Sequence, residues 1–284
     1  MDDQKSVLSV ALLCLSIPFA PAVLLSTVVA VAAAPNDEKS EDREETELQR
    51  NARKMAESIK LETVAGGDRH ELAMLEQPVL RFGDIPRAND KGSVWIWQAD
   101  DRPQAIMELY RGTDGRSWVY VIHSLSAEKI SGDFGADAPH WSTEGPGTAW
   151  NDFAEAPAPA QRPNVRARQI KDLAQKFTAH EFWDPNNSRY ELRLLIQPVH
   201  KYSRPDAGLL DGAVFLICHE NNPEVVLLIE ADKSSDNEPR FRYALARLGH
   251  AEMHVEFDKK EIWRQPRIAN TSNHDPYFLV LKQN

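Results

Sequence analysis

The sharpest chemical pattern in the chain is His250-Ala-Glu252-Met-His254. On a β-strand, residues at i, i+2 and i+4 share a face. Two imidazoles and a carboxylate placed that way form a ligand set for Zn²⁺ or a non-haem iron. The plainer alternative is the polar face of an amphipathic strand, with Ala251, Met253 and Val255 turned inward. His180 and Glu181, with Asp184 after them, fall where a helix C-terminus is expected, and the helix dipole accounts for a histidine there. His123 sits in the apolar run 118–124, beside Ser124 and Ser126. The chain has no Gly-x-Ser-x-Gly nucleophile elbow, no dinucleotide-binding glycine fingerprint and no phosphate loop. Glu71 and Glu191 each follow an arginine by two residues, Arg69 and Arg189. Facing one cleft, two such carboxylates do acid–base work; otherwise each is an Arg–Glu pair opening an exposed strand. Trp95, Trp97, Trp118 and Tyr120 alternate along strands and suit either a core or an aromatic platform for a glycan. None of these patterns assigns a catalytic group, a cofactor or a bound metal.

An internal repeat carries these residues. Shifting the chain by 120 places Arg69 to Val79 on Arg189 to Val199, Gly92 on Gly212 and Pro103 on Pro223, with ten identities in the forty-two positions 69–110. At an offset of 118, Met55, Ala56 and Ile59 meet Leu173, Ala174 and Phe177; at 123, Trp118, Tyr120 and Leu125 meet Phe241, Tyr243 and Leu248. Leu48, Ala52, Met55 and Ile59, and likewise Ile170, Leu173, Ala174 and Phe177, recur at helical spacing. Asn164, after Pro163, is placed to cap the second helix. Apolar runs of strand length follow in the second copy at 190–202, 213–219, 224–231, 241–248 and 252–257, with 277–281 closing the chain. The short connections 99–102 and 220–222 require antiparallel neighbours. Pro78 and Pro198 cannot donate to a ladder, so each marks an edge or a bulge. The expected fold class is α+β: two tandem copies, by pseudo-twofold duplication, of a helix packed on a curved antiparallel sheet of about five strands.

Net charge is −10, and Lys and Arg do not cluster. That excludes nucleic-acid binding, which needs grouped cations to neutralise phosphates. Residues 6–36 carry no charge and end in a small-x-small pattern, Ala30-Val31-Ala32. Such a stretch is a signal peptide or a membrane anchor. Either reading places the remainder outside the cytoplasm, periplasmic, at the cell surface or secreted, with membrane contact only through an uncleaved segment. Cys14 lies within it, so Cys218 has no intramolecular partner in the body and the core must supply stability. The expected organisation is 1–34 leader or anchor, 35–47 acidic linker, 48–131 first repeat, 132–163 linker rich in Pro, Gly and Ala, and 164–284 second repeat.

The run Tyr190-Glu-Leu-Arg-Leu-Leu-Ile-Gln-Pro-Val-His-Lys-Tyr202, with Asp211-Gly-Ala-Val-Phe215, Asn222-Pro-Glu-Val-Val-Leu-Leu-Ile-Glu230 and Arg242-Tyr-Ala-Leu-Ala-Arg247, resembles a family of predicted exported proteins common in planctomycete bacteria. The resemblance covers roughly residues 75–265. It implies export and a bacterial source, and no activity, cofactor or site residue. The features shared by the two copies are apolar positions, turns and prolines. The expected function is therefore an exported, non-catalytic binding or scaffolding module. Its partner would be an unidentified protein, a glycan or a small apolar ligand. Two alternatives stay open: a metal-dependent hydrolase using His250, Glu252 and His254, and a carrier of a small apolar ligand held between helix and sheet.

Overall fold

Two α-helices precede the two main runs of strands. Helix α1 spans Asp37–Glu57 and buries Ala52 and Ala56, with Leu48 and Met55 half-buried on the same stripe. Helix α2 spans Pro163–Ala174 and buries Ile170, Leu173 and Ala174. Proline stands at the first position of α2, where a missing N–H is no loss. The cap residue is Arg162, extended at φ −78° and ψ 123°. Asn164 is therefore inside the helix and not its cap.

The computed structural model describes residues 37–84, 89–135, 138–233 and 238–283. The leader or anchor expected in residues 1–34, Cys14 included, lies outside them. Among the described residues no helix is long and apolar enough to cross a membrane. All of the sheet structure belongs to one unit, Glu44–Asn284.

The first run of strands comprises β1 (Lys60–Ala65), β2 (Asp68–Glu71), β3 (Ala73–Met74), β4 (Leu80–Asp84), β5 (Asn89–Ala99), β6 (Arg102–Arg111), β7 (Ser117–Ser124), β8 (Lys129–Asp133), β9 (Trp141–Ser142) and β10 (Trp150–Asp152). After α2 come β11 (Phe177–Phe182), β12 (Arg189–Leu194), β13 (His200–Arg204), β14 (Leu209–His219), β15 (Asn222–Lys233), β16 (Pro239–Arg247), β17 (Glu252–Phe257), β18 (Lys260–Gln265) and β19 (Tyr277–Gln283). They form a four-stranded sheet β2-β1-β8-β9, a six-stranded sheet β19-β7-β6-β5-β3 with β4 also on β5, and a nine-stranded sheet β10-β16-β15-β14-β12-β11-β17-β18 with β13 also on β14.

The expected α+β class, and with it the internal pseudo-twofold duplication of a helix-on-sheet unit, is thus corrected. The chain is mostly β, with nineteen strands against two α-helices among the described residues. The earlier strands divide between two sheets, whereas β11–β18 gather in one. The expected linker 132–163 contains β9 and β10, and β10 pairs with β16. The closing strand does not complete the second copy either: β19 pairs with β7. The physical reason is edge satisfaction. Alternation sets which residues form strands, but an unpaired edge takes whichever segment can reach it. The segment trailing each half adds to the other half's sheet, which ties the two together.

Packing follows from the faces. One face of the six-stranded sheet meets one face of the nine-stranded sheet through Val94, Ile96 and Ile106 against Val214, Leu216, Val226 and Ala246. The other face of the six-stranded sheet, with Trp95, Trp97, Met107, Trp118 and Tyr120, lies under α1 and the four-stranded sheet. The nine-stranded sheet curls round α2, since β14–β16, β11 and β17 all contribute to one core with Leu173.

Pro78 and Pro198 each break an edge strand at a bulge. Leu75 N–H donates to Ile96 O (2.9 Å) and Val79 N–H to Val94 O (2.8 Å), so four steps along the edge cover two on β5. Leu195 and Val199 repeat this against Leu216 and Val214 (2.9 and 2.8 Å).

A buried carboxylate joins the two large sheets. Glu230 on β15 is fully buried. It accepts from Arg102 Nε and Nη2 (2.9 and 3.1 Å), Arg242 Nε and Nη2 (3.0 and 2.8 Å) and the Tyr202 hydroxyl (3.0 Å). Gly212 makes the last contact possible. It lies between Tyr202 and Glu230 in the row across β13, β14 and β15, and a Cβ there would fall 2.3 Å from the Tyr202 ring. Both guanidinium groups rest on Trp150 of β10, at 5.3 and 4.7 Å from its ring centre. Removing the charge of a buried paired carboxylate strands its partners, a loss of about 3–5 kcal/mol. Glu230→Gln is expected to lower the urea midpoint correspondingly without changing the slope. A loss below about 1 kcal/mol would contradict this role.

Candidate functional site: a cavity between helix and sheet

A cavity of about 240 Å³ opens between the last turns of α1 and the outer face of the six-stranded sheet. Its walls are Leu48 and Ala52 from the helix, Phe82, Trp95, Leu109 and Trp118 from the strands, and Gln77 and Pro78 from the bulge. The bulge forms one corner of the cavity, between the helix and the edge of the sheet. Arg50, Arg53, Arg81 and Lys91 complete the lining, and no acidic side chain is part of it. Arg53 is held by Glu57 one turn on (2.8 Å). Arg81 and Lys91 are exposed, and no carboxylate pairs with either among the described residues.

The deep polar groups are few. Trp95 donates its indole N–H to Ser93 Oγ (2.9 Å), and Ser93 donates to Leu109 O (3.4 Å). Trp118, 2% exposed, carries an indole N–H with no partner among the described residues. Arg111 lies over its ring at 5.0 Å. A buried donor left unpaired costs on the order of 1–3 kcal/mol.

The sheet position 120 residues on offers a comparison. Gly92 lies beneath the Phe82 ring as Gly212 lies beneath Tyr202. The residue before each glycine differs in sign: Lys91 in one, Asp211 in the other. Beside Asp211 the space is filled. Arg166 of α2 is 7% exposed, ion-pairs with Asp211 and donates to Ala160 O and Gln161 O (2.7 and 3.0 Å). Lys171 reaches Gln197 Oε1 (2.6 Å) at the adjoining bulge. Leu48 stands at the offset of 118 from Arg166, and it is too short to fill the space beside Lys91.

A second cavity, about 530 Å³, lies between α2, the 152–157 segment and the rings of Phe153, Tyr243 and Phe257. Its lining mixes both signs of charge: Lys176 pairs with Asp258 (3.0 Å) and Asp152 with Arg240 (3.1 Å), and Glu155, Asp172 and Lys260 also border it.

The sequence candidates are placed as follows. His250 lies before β17 and is exposed, its carbonyl accepting from Ile268 N–H (2.9 Å). Glu252 and His254 do share a face. Both ring nitrogens of His254 are engaged by carboxylates, Nδ1 with Glu261 (2.6 Å) and Nε2 with Glu252 (3.1 Å), and Arg264 also binds Glu252 (2.6 Å). Among the described residues no group of three or more His, Cys, Asp or Glu has metal-holding geometry. His180 and Glu181 belong to β11 and not to a helix end, and the His180 ring stacks on that of His254 at 4.7 Å. Asp184 holds a turn through Ser188 N–H and Oγ (2.6 and 2.8 Å). Glu71 and Glu191 lie in different sheets. Arg189 pairs with Glu191 (2.5 Å), while Arg69 pairs with Glu62 (2.8 Å). Trp95, Trp97, Trp118 and Tyr120 are each at most 2% exposed, so they wall a core and a cavity and form no surface platform for a glycan. Cys218 is fully buried, and burial pushes its thiol pKa up, away from reactivity.

Arg50, Arg53, Arg81 and Lys91 carry no motif. The signal available for them was the reversal from Asp211 to Lys91 beside a retained glycine. No family model matches the chain, and neither a curated protein nor a solved structure matches it.

His123 is buried with its Nε2 on Gly147 O (3.1 Å), and Ser124 Oγ accepts from Ser126 N–H (3.4 Å). Burial lowers the His123 pKa from 6.5 to about 4. The folded state therefore favours neutral imidazole, while the unfolded chain takes up a proton below about 6.5. Stability from this group is complete above that pH and is lost as pH falls toward 4, by about 3 kcal/mol in all. His180 and His200, also lowered by burial, act in the same direction. Urea midpoints of wild type and His123→Gln are expected to converge between pH 7.5 and 4.5, and a constant gap would contradict the assignment.

Proposed function

We propose that this protein is a non-catalytic binding module that holds one small amphiphilic molecule in the cavity between α1 and the six-stranded sheet. The observation that carries this reading is the open space beside Lys91, where the corresponding place beside Asp211 is filled by Arg166. The lining offers apolar rings and a few donors, and includes no carboxylate, imidazole or thiol to move a proton or attack a substrate. A cavity of about 150 Å³ accepts benzene, and drug-sized sites begin near about 300 Å³. A volume of about 240 Å³ therefore suits a single ring or a branched chain bearing one polar group.

The test copies the filled site. Leu48→Arg with Lys91→Asp places a guanidinium–carboxylate pair where the cavity is. A thermal-shift panel of single-ring and branched-chain compounds, neutral and charged, is run on wild type and on this double variant. A ligand at a hundred times its dissociation constant stabilises the wild type by about 2.7 kcal/mol, a rise of several degrees in a chain of this size. The double variant is expected to fold and to show no such rise. A rise that persists undiminished in the variant, or no rise with any compound, contradicts the proposal.

A further inference from the structure

Resting on that reading of the cavity, we infer that its ligand is an anion, a small carboxylic acid whose aromatic or branched body packs against Trp95 and Trp118. Two observations converge. In a chain with 43 acidic and 33 basic residues, the cavity lining holds four basic side chains and no acidic one. The occupied counterpart shows what the place requires. There the strand supplies an anion, Asp211, and the helix supplies a cation, Arg166. Here the strand supplies the cation Lys91, and Leu48 offers no anion to answer it; Lys91 and Arg81 are left without a carboxylate partner among the described residues.

The arrangement of charge selects the class of anion. Arg50, Arg81 and Lys91 are exposed, so they stand at the mouth, while the walls beneath them are ring and aliphatic surface. A ligand with its charge at one end satisfies both regions; a polyanion charged along its length would carry charge against the apolar walls, where no ion answers it. The planar guanidinium of Arg81 matches a carboxylate through paired N–H donors.

The experiment is titration calorimetry on the purified full chain with benzoate, phenylacetate and isovalerate, each against its primary amide. Acid and amide nearly match in shape and differ in charge. The best acid is expected to bind at least about tenfold tighter than its amide, and to weaken as salt rises from about 0.05 to 0.3 M. Arg81→Gln and Lys91→Gln should each remove about tenfold of the acid's affinity and leave the amide's unchanged. Both positions are exposed, so folding is not at stake. If an amide binds as tightly as its acid, or both substitutions leave the ratio intact, the anion inference is overturned and the cavity reading stands. If no acid and no amide binds, or if binding survives in the Leu48→Arg, Lys91→Asp chain, the cavity reading itself falls, and the inference with it.

Discussion

Glu230 is the constraint around which the two large sheets are assembled. A fully buried carboxylate is tolerable only when its oxygens are saturated by donors. Here five hydrogen bonds come from Arg102, Arg242 and Tyr202. Arg102 belongs to the six-stranded sheet and the others to the nine-stranded one, so the sheets cannot separate without leaving ions unpaired in an apolar core. Several other choices follow. Gly212 has no side chain because the Tyr202 ring crosses it. Trp150 brings in β10 by covering both guanidinium groups. At the other end of the interface Arg247 plays a related part. Its guanidinium donates to the carbonyls of Gly249, Ala251 and Pro266 (2.8, 2.6 and 2.9 Å) and lies 5.3 Å from the Tyr277 ring, which anchors β19.

With the two faces locked together, each sheet is free to differ on its far side. The nine-stranded sheet curls round α2 and closes its corner with Arg166 and Asp211. The six-stranded sheet has the same proline bulge and the same glycine under a ring, but Lys91 and Leu48 do not close the corner. The cavity beneath α1 is thus a local failure to fill space beside the packed interface. A cavity generally costs stability, and so does the unpaired Trp118 donor. The rigid interface behind the site allows both costs to be carried without loss of the fold.

Much of this was legible in the sequence and some could not be. Alternating apolar runs located nearly every long strand, because burial of one face demands that period. Pro78 and Pro198 announced edge bulges, since proline cannot serve a ladder. Helical spacing at Leu48, Ala52 and Met55 placed the buried stripe of α1. What pattern could not show was which edge each trailing segment would satisfy, and so β10 was read as part of a linker, β19 was placed with the second copy and the fold was given the wrong class. The His250, Glu252, His254 pattern stood open between a ligand set and a polar strand face; the strand begins only at Glu252, and His254 is engaged by Glu252 and Glu261. The site stayed hidden because its cations come from α1, β4 and β5, which sequence spacing alone does not bring together. Only the sign change between Asp211 and Lys91 hinted at it.

The central claim is that the cavity beneath α1 is a ligand site walled in part by Trp118. The most direct measurement is the indole ¹H–¹⁵N spectrum of the full chain, which has seven tryptophans, titrated with phenylacetate and assigned through Trp118→Phe. The account predicts that the Trp118 and Trp95 signals both shift as a ring packs against the cavity wall they form. Trp183 and Trp263, which pack in the other core, should stay in place. A Trp118 signal that does not move while Trp183 or Trp263 does would place binding elsewhere and contradict the account.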